Sequence, residues 1–240
     1  MADVSKARAL LVALRDPDDP MCAHEHRCFA ERSGLGLDRV DVHAMPTGRP
    51  DVGKLKRYDV IFFGGSGAYS VLDDVSWIRD GLSVLQDVLD LGKKSWASCF
   101  GFQGLSLAMG GTVIHDDDLT EMGATQLRLT DAGRADPILS VLPEPFWAEE
   151  GHHDHVIELP DGVTQLVVGE KVRHQAFKVN GVPFYASQFH PELTVQRTLE
   201  RFIHYRDHYI DENADEVFEM LAAGQDTPEV GQLLRRLVEL

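Results

Sequence analysis

The chain has 240 residues and a formal net charge of −16 at pH 7. The length allows a full core in one large domain, or one domain with an appendage, and the acidity excludes a phosphate-backbone partner, which needs a basic face. No run approaches the ~18 apolar residues of a membrane span, and three cysteines without framework spacing and a polar start after Met1 point to a cytoplasmic protein with no membrane partner.

Residues 7–14, ARALLVAL, form a continuous apolar run, as expected of a strand buried on both faces of a parallel sheet. The loop RDPDDP follows at its C-terminal end. Residues 21–33 predict a helix closed by Gly34. Residues 37–45 read as a second strand, with Val40, Val42 and Ala44 alternating against Arg39, Asp41 and His43. Residues 59–63 are a third strand and run straight into Gly64-Gly65-Ser66-Gly67. Residues 77–91 predict an amphipathic helix with Ile78, Leu82, Leu85, Val88 and Leu91 on one side. Strands alternating with helices point to an α/β fold, a doubly wound and mostly parallel sheet flanked by helices. Ligands in that architecture sit at the C-terminal ends of the strands.

The stretch SWASCFGFQGLSLAMGG, residues 95–111, reads as strand, sharp turn and helix with Cys99 at the turn. A helix N-terminus lowers a thiol's pKa toward the reactive thiolate, and Gly101 lets the helix pack closely behind the turn. An inert, buried core cysteine fits the same stretch. Beyond it, residues 125–129, 165–168, 174–179 and 182–187 are short strand-like runs, with Asn180-Gly181 as a hairpin signal. His190 and Glu192 follow, and in an extended chain residues i and i+2 project to one side. A carboxylate there can orient the imidazole of a base, although a strand-end histidine beside a solvated glutamate satisfies the same pattern. Residues 193–206 predict a helix burying Val195, Leu199, Phe202 and Ile203. Residues 211–240 form an acidic, helix-prone extension in which Val230, Leu233, Leu234 and Leu237 make an apolar stripe, set to pack on the domain or on a partner.

Three segments, SCFGFQG, FFGGSGAYS and QAFKVNGVPFYASQFHPEL, together resemble the class I glutamine amidotransferases, the Cys-His-Glu amidase domains of the kind found in GMP synthase. The resemblance covers about residues 7–205. It implies a flavodoxin-like amidase domain over residues 1–210 and an extension over 211–240. It further implies Cys99 as nucleophile, His190 as general base and acid, and Glu192 as the residue orienting His190. The amides of Gly65 and Phe100 would form the oxyanion hole. Gly64, Gln103, His152 and Asp154 would contact substrate. No cofactor and no metal are implied. Three positions depart from the family pattern: Ala97, where glycine is usual, crowds the turn; Ser66, in place of proline, leaves the glycine loop looser; and His153, in place of glycine, reshapes the pocket wall.

Two clusters invite a metal. Cys22, His24, His26 and Cys28 match no standard zinc spacing and split into pairs on a helix, and His152–His155 is better read as pocket wall. The expected substrate is glutamine or a γ-glutamyl small molecule. Two enzymatic readings follow, a glutaminase subunit feeding a separate ammonia-accepting synthetase and a free-standing γ-glutamyl hydrolase, and beside them stands a binding protein that kept the fold. The acceptor, the partner and the oligomeric state are not encoded in any motif.

Overall fold

Ala9–Ala13 is wholly apolar and wholly buried, and it becomes the central strand β1. The computed structural model describes residues 6–209 and 214–240. After β1 come α1 (Pro20–Ser33), β2 (Val40–Ala44), α2 (Val52–Lys56), β3 (Val60–Phe63), α3 (Ser76–Asp90), β4 (Lys94–Ser98) and α4 (Phe100–Ala108). The second half adds β5 (Thr112–His115), β6 (Glu121–Leu129), α5 (Asp131–Ala135), β7 (Phe146–His152), β8 (Asp154–Glu158), β9 (Val163–Val168), β10 (His174–Val179) and β11 (Phe184–Ser187). Three helices close the chain: α6 (Val195–Tyr209), α7 (Ala214–Ala222) and α8 (Leu233–Glu239).

Nine strands form one mixed sheet in the order β2-β1-β3-β4-β11-β10-β9-β6-β7, and β5 pairs separately with β8. The first five run parallel and the rest antiparallel. Leu11, Phe62 and Trp96 face one core and Val12, Ile61 and Phe63 the other. The helix α1 starts where expected: Pro20 occupies its first turn, the Asp19 side chain accepts from the Met21 amide, and Gly34 ends it at φ 72°.

Of the two places open to the C-terminal stripe, the structure gives the domain, and on α6 one expectation is corrected. The stripe Val230, Leu233, Leu234 and Leu237 is at most 5% exposed and belongs to the same core as β1 and Phe29 of α1. That face is therefore part of the domain's own core. On α6, Ile203 is 55% exposed, whereas Thr198, Phe202 and Tyr205 are buried and Arg201 lies between them. Apolarity misplaced the face because α6 turns polar side chains inward, toward the site described next.

The parallel register aligns Val12 with β3's Phe63, Phe63 with Ala97, and Ser98 with Ser187. The segments after β1, β3, β4 and β11 therefore emerge at one sheet edge, bringing Arg15, Gly64–Gly65, Cys99 and His190 together.

Candidate active site

Cys99 sits between β4 and α4 at φ 49° and ψ −103°, the one non-glycine residue with positive φ among those described. Its amide bonds the Ser187 carbonyl at 2.8 Å, and its carbonyl accepts from the Gln103 amide at 3.0 Å. Such a conformation strains an L-residue and persists only where the surroundings impose it. Gly101 permits the tight turn: a methyl group there would lie 3.0 Å from Phe63 Cβ and 3.1 Å from Ala97 Cβ.

His190 lies on the segment after β11, its amide bonded to the Glu149 carbonyl at 2.9 Å. Its Nδ1 is 2.6 Å from Glu192 Oε1, and Glu192 Oε2 accepts from Ser98 Oγ at 3.1 Å. Both Cys99 and His190 border Gly65, where a methyl group would stand 3.8 Å from Cys99 Cβ and 3.0 Å from His190 Cε1. Burial opposes ionisation of Glu192, but the charge and hydrogen bond of His190, with Arg201, hold its carboxyl down at about 2. Burial dominates at Cys99 and, with Glu150 and Glu192 nearby, pushes the thiol up against the pull of Arg201. The lowered thiol expected from the helix terminus is not what the resting site holds.

Gln103 donates from Nε2 to the Asp154 carbonyl at 2.7 Å and faces Gln188 Oε1 at 3.3 Å, while Gln188 Nε2 reaches Cys99 Sγ at 3.6 Å. Asp154 holds Ser70 Oγ at 2.5 Å and His115 Nδ1 at 2.7 Å. A cavity lined by Cys99, Phe100, Gln103, Asp154 and His115 opens there. His152 borders it, but its imidazole Nε2 turns to Glu121 at 3.2 Å and Glu150 at 3.6 Å. His153 turns instead to Thr120 Oγ1, at 2.8 Å. Among the described residues, Glu121, Glu150 and His152 form the set that offers three ligand atoms to one metal ion. The pattern on α1 disperses: Cys22 donates to the Asp16 carbonyl, and His24 pairs with Glu200 and Cys28.

The glycine loop is pinned rather than loose. Gly65 N–H donates to Glu25 Oε1 at 3.1 Å, and the Gly65 carbonyl accepts from Arg15 Nη2 at 3.0 Å. Glu25 and Arg15 are themselves paired at 3.0 Å and buried. A methyl group on Gly64 would lie 2.4 Å from the Glu25 carboxyl, so Gly64 is the opening that admits it. Arg201 bridges Glu25 at 3.5 Å and Glu192 at 3.6 Å, linking the loop to His190. The amide expected to face an oxyanion is thus committed to a carboxylate here. Arg15, Glu25, Arg201, Glu150 and Gln188 were all missed in the sequence. The one available signal was Arg15 at the C-terminal end of the first strand, where ligand-facing residues gather.

A family model described as glutamine amidotransferase class-I matches residues 33–205. A GMP synthase [glutamine-hydrolyzing] subunit from Sulfurisphaera tokodaii is 31% identical over 170 residues, 71% of this chain and 84% of that protein. The chain belongs to the class I glutamine amidotransferases. The GMP synthase [glutamine-hydrolyzing] of Aquifex aeolicus is 29% identical over 160 residues, and this amidotransferase chain spans 29% of that longer protein. Gamma-glutamyl peptidase 5 of Arabidopsis thaliana is 32% identical over 153 residues, 63% of this chain and 60% of that one. In fold, a glutamine amidotransferase from Thermotoga maritima superposes with a TM-score of 0.72 at 19% identity, covering 98% of this chain and 99% of its own. No helix among the described residues of this amidotransferase is long and apolar enough to cross a membrane.

Beside the site, burial pushes Glu149 up to about 7, helped by the charge of Asp226 and opposed by the nearby Thr198 hydroxyl. A carboxyl whose folded pKa is raised contributes stability below its unfolded pKa and loses it as pH rises through the folded value. Glu149→Gln is therefore expected to match the parent's melting temperature near pH 4.5 and exceed it at pH 8.5, by up to about 3 kcal/mol of stability. Thermal melts across that range check this, and equal curves at both ends would reject it.

Proposed function

We propose that the protein is an amidase that cleaves the γ-amide of a glutamyl group through a Cys99 thioester. The observation that supports this best is the strained Cys99 at the sheet edge, bordering the same glycine as a His190 already oriented by Glu192. With the thiol pushed up in the resting site, the thiolate forms as Cys99 passes its proton to His190 on substrate docking. Sγ attacks the amide carbon. The negative charge on oxygen is met by backbone amides at Phe100, the first residue of α4, and at Gly65 once the latter leaves Glu25. His190 then protonates the departing nitrogen, and water activated by His190 releases glutamate. Gln103, Gly64 and the Asp154 region would hold the glutamyl part, and no cofactor takes part.

Two substrate settings fit. The relative named as a GMP synthase subunit supports glutamine with ammonia passed to a synthetase partner, and the relative named gamma-glutamyl peptidase supports a free-standing hydrolase. The second gains from burial of the Val230–Leu237 stripe, since the face most suited to docking a partner is already used by the core. The test is glutamate release by the purified chain from glutamine and from a γ-glutamyl dipeptide, with thiol labelling by a glutamine-like diazoketone. Turnover of the dipeptide without any added protein is expected. An unreactive Cys99 together with silence on both substrates would sink the thioester reading.

A further inference from the structure

A second cavity, of about 70 Å³, shares Ser66, Gly67 and Gly151 with the one beside Cys99 but does not touch Cys99. Gly65, His190, Glu150 and Arg201 line it together with the apolar side chains of Met122, Phe202 and Leu221. In the thioester reading, on which this inference rests, His190 must hand its proton to the departing nitrogen, so whatever that nitrogen carries lies beside His190 and away from the sulfur. Ammonia, about the size of a water, needs only about 10–15 Å³ of such space. The volume here is several times that, and its lining is mostly apolar.

Two further observations bear on an occupant. Glu150 is 1% exposed, and its carboxyl oxygens make no hydrogen bond, with His152 Nε2 3.6 Å from one of them. A buried acceptor without a hydrogen bond is costly, and a small turn of this side chain at the cavity lining would let it take an N–H of a departing amine. Leu221 is 2% exposed on α7, although Met220 beside it is 52% exposed. It is seated over Gly123, where a methyl group would lie 2.6 Å from Leu221 Cδ2. The extension is thereby held as a wall of this cavity.

We infer that this second cavity is the leaving-group site, and that the substrate is a γ-glutamyl amide whose nitrogen carries an apolar alkyl or aryl group. In the first step the Sγ–C bond forms and the C–N bond breaks, and the amine leaves with the proton that His190 took from the Cys99 thiol. In the second, water adds to the thioester, its proton passes through His190 to the departing sulfur, and glutamate and the free thiol are restored.

The experiment measures kcat/KM for glutamine, γ-glutamyl-leucine and γ-glutamyl-isopentylamide with the full chain, Cys99→Ala, and two cavity-filling variants, Leu221→Trp and Met122→Trp. Met122→Trp keeps the test alive if Leu221→Trp fails to fold. A preference of at least ten-fold for the isopentylamide over glutamine is expected, with the leucine conjugate preferred alongside it. It should shrink at least ten-fold in a folded filling variant. The isopentylamide lacks the leucine carboxylate, so it separates an apolar preference from carboxylate recognition. Preference for glutamine, equal loss on all substrates in a filling variant, or preference confined to the carboxylate-bearing conjugate would overturn the inference while Cys99→Ala still abolishes turnover. Silence on every amide with Cys99 labelled by the diazoketone would also overturn it, leaving a glutaminase that waits for a partner. Turnover persisting in Cys99→Ala would instead overturn the thioester reading itself.

Discussion

Cys99→Ala is expected to lower kcat/KM for γ-glutamyl amide hydrolysis by at least about 10⁴-fold, since groups that act as one unit in acyl transfer fail together. For the same reason His190→Ala should cost a similar factor, and the double variant should cost little more than either single one. Additive losses would mean that the two residues act separately. The backbone offers an independent check. Cys99 holds φ 49°, a region costing an L-residue about 1–2 kcal/mol. Alanine keeps that strain and glycine removes it, so Cys99→Gly should melt higher than Cys99→Ala, by roughly 2–8 °C in a chain of this size. Glutamate release and thermal melts on the four variants read both effects. More than about one hundredth of the parent's activity in Cys99→Ala, a threshold well above the residual left by a lost nucleophile, would reject Cys99 as nucleophile.

The frame was legible because its signals are local. An unbroken apolar ALLVA, too short for a buried helix, reads as a strand buried on both faces, and the parallel order places every following loop at one edge. The turn around Cys99 and the His190–Glu192 pair were readable because neighbouring residues make them. What the sequence hid is long-range. Glu25 lies in a helix full of histidines and cysteines that draw the eye to a metal, and nothing near it points to the glycine loop 40 residues later. Arg201 and Tyr205 were passed over because a hydrophobic stripe was sought on α6, whereas its inner face carries the partners of Glu192 and Arg15. The lowered thiol failed for a related reason: the helix terminus is a local feature, but the burial and nearby carboxylates that raise the thiol come from distant strands.

That hidden network carries the other large expected effect. Glu25→Ala would strip a wholly buried counter-charge from Arg15, 3.0 Å away, and loosen Arg201 at 3.5 Å. Arg15 would keep the more distant Asp19, 3.6 Å away. Stripping a buried charge of its close partner costs up to about 3–5 kcal/mol, which for this size is a melting temperature lower by on the order of 10 °C. Urea denaturation measures it, and a change below about 1 kcal/mol, the level of an exposed pair, would mean that Arg15 finds another partner. A stability loss alone does not separate a structural pair from one that positions the glycine loop. The double variant Arg15→Met/Glu25→Leu does, because apolar replacement of a whole buried pair is often nearly neutral for stability. It should regain most of what Glu25→Ala loses, yet Gly65 would keep neither the acceptor for its N–H nor the donor to its carbonyl. A donor aimed at an oxyanion is worth about 10²–10³ in kcat, so a folded but slow double variant is expected, its loss falling in kcat rather than KM. Full kcat in that variant would show that the loop finds its working geometry without the pair beneath it. The buried charges would then serve the fold alone, and Arg201 would be left as the group on α6 that ties the helix to Glu192.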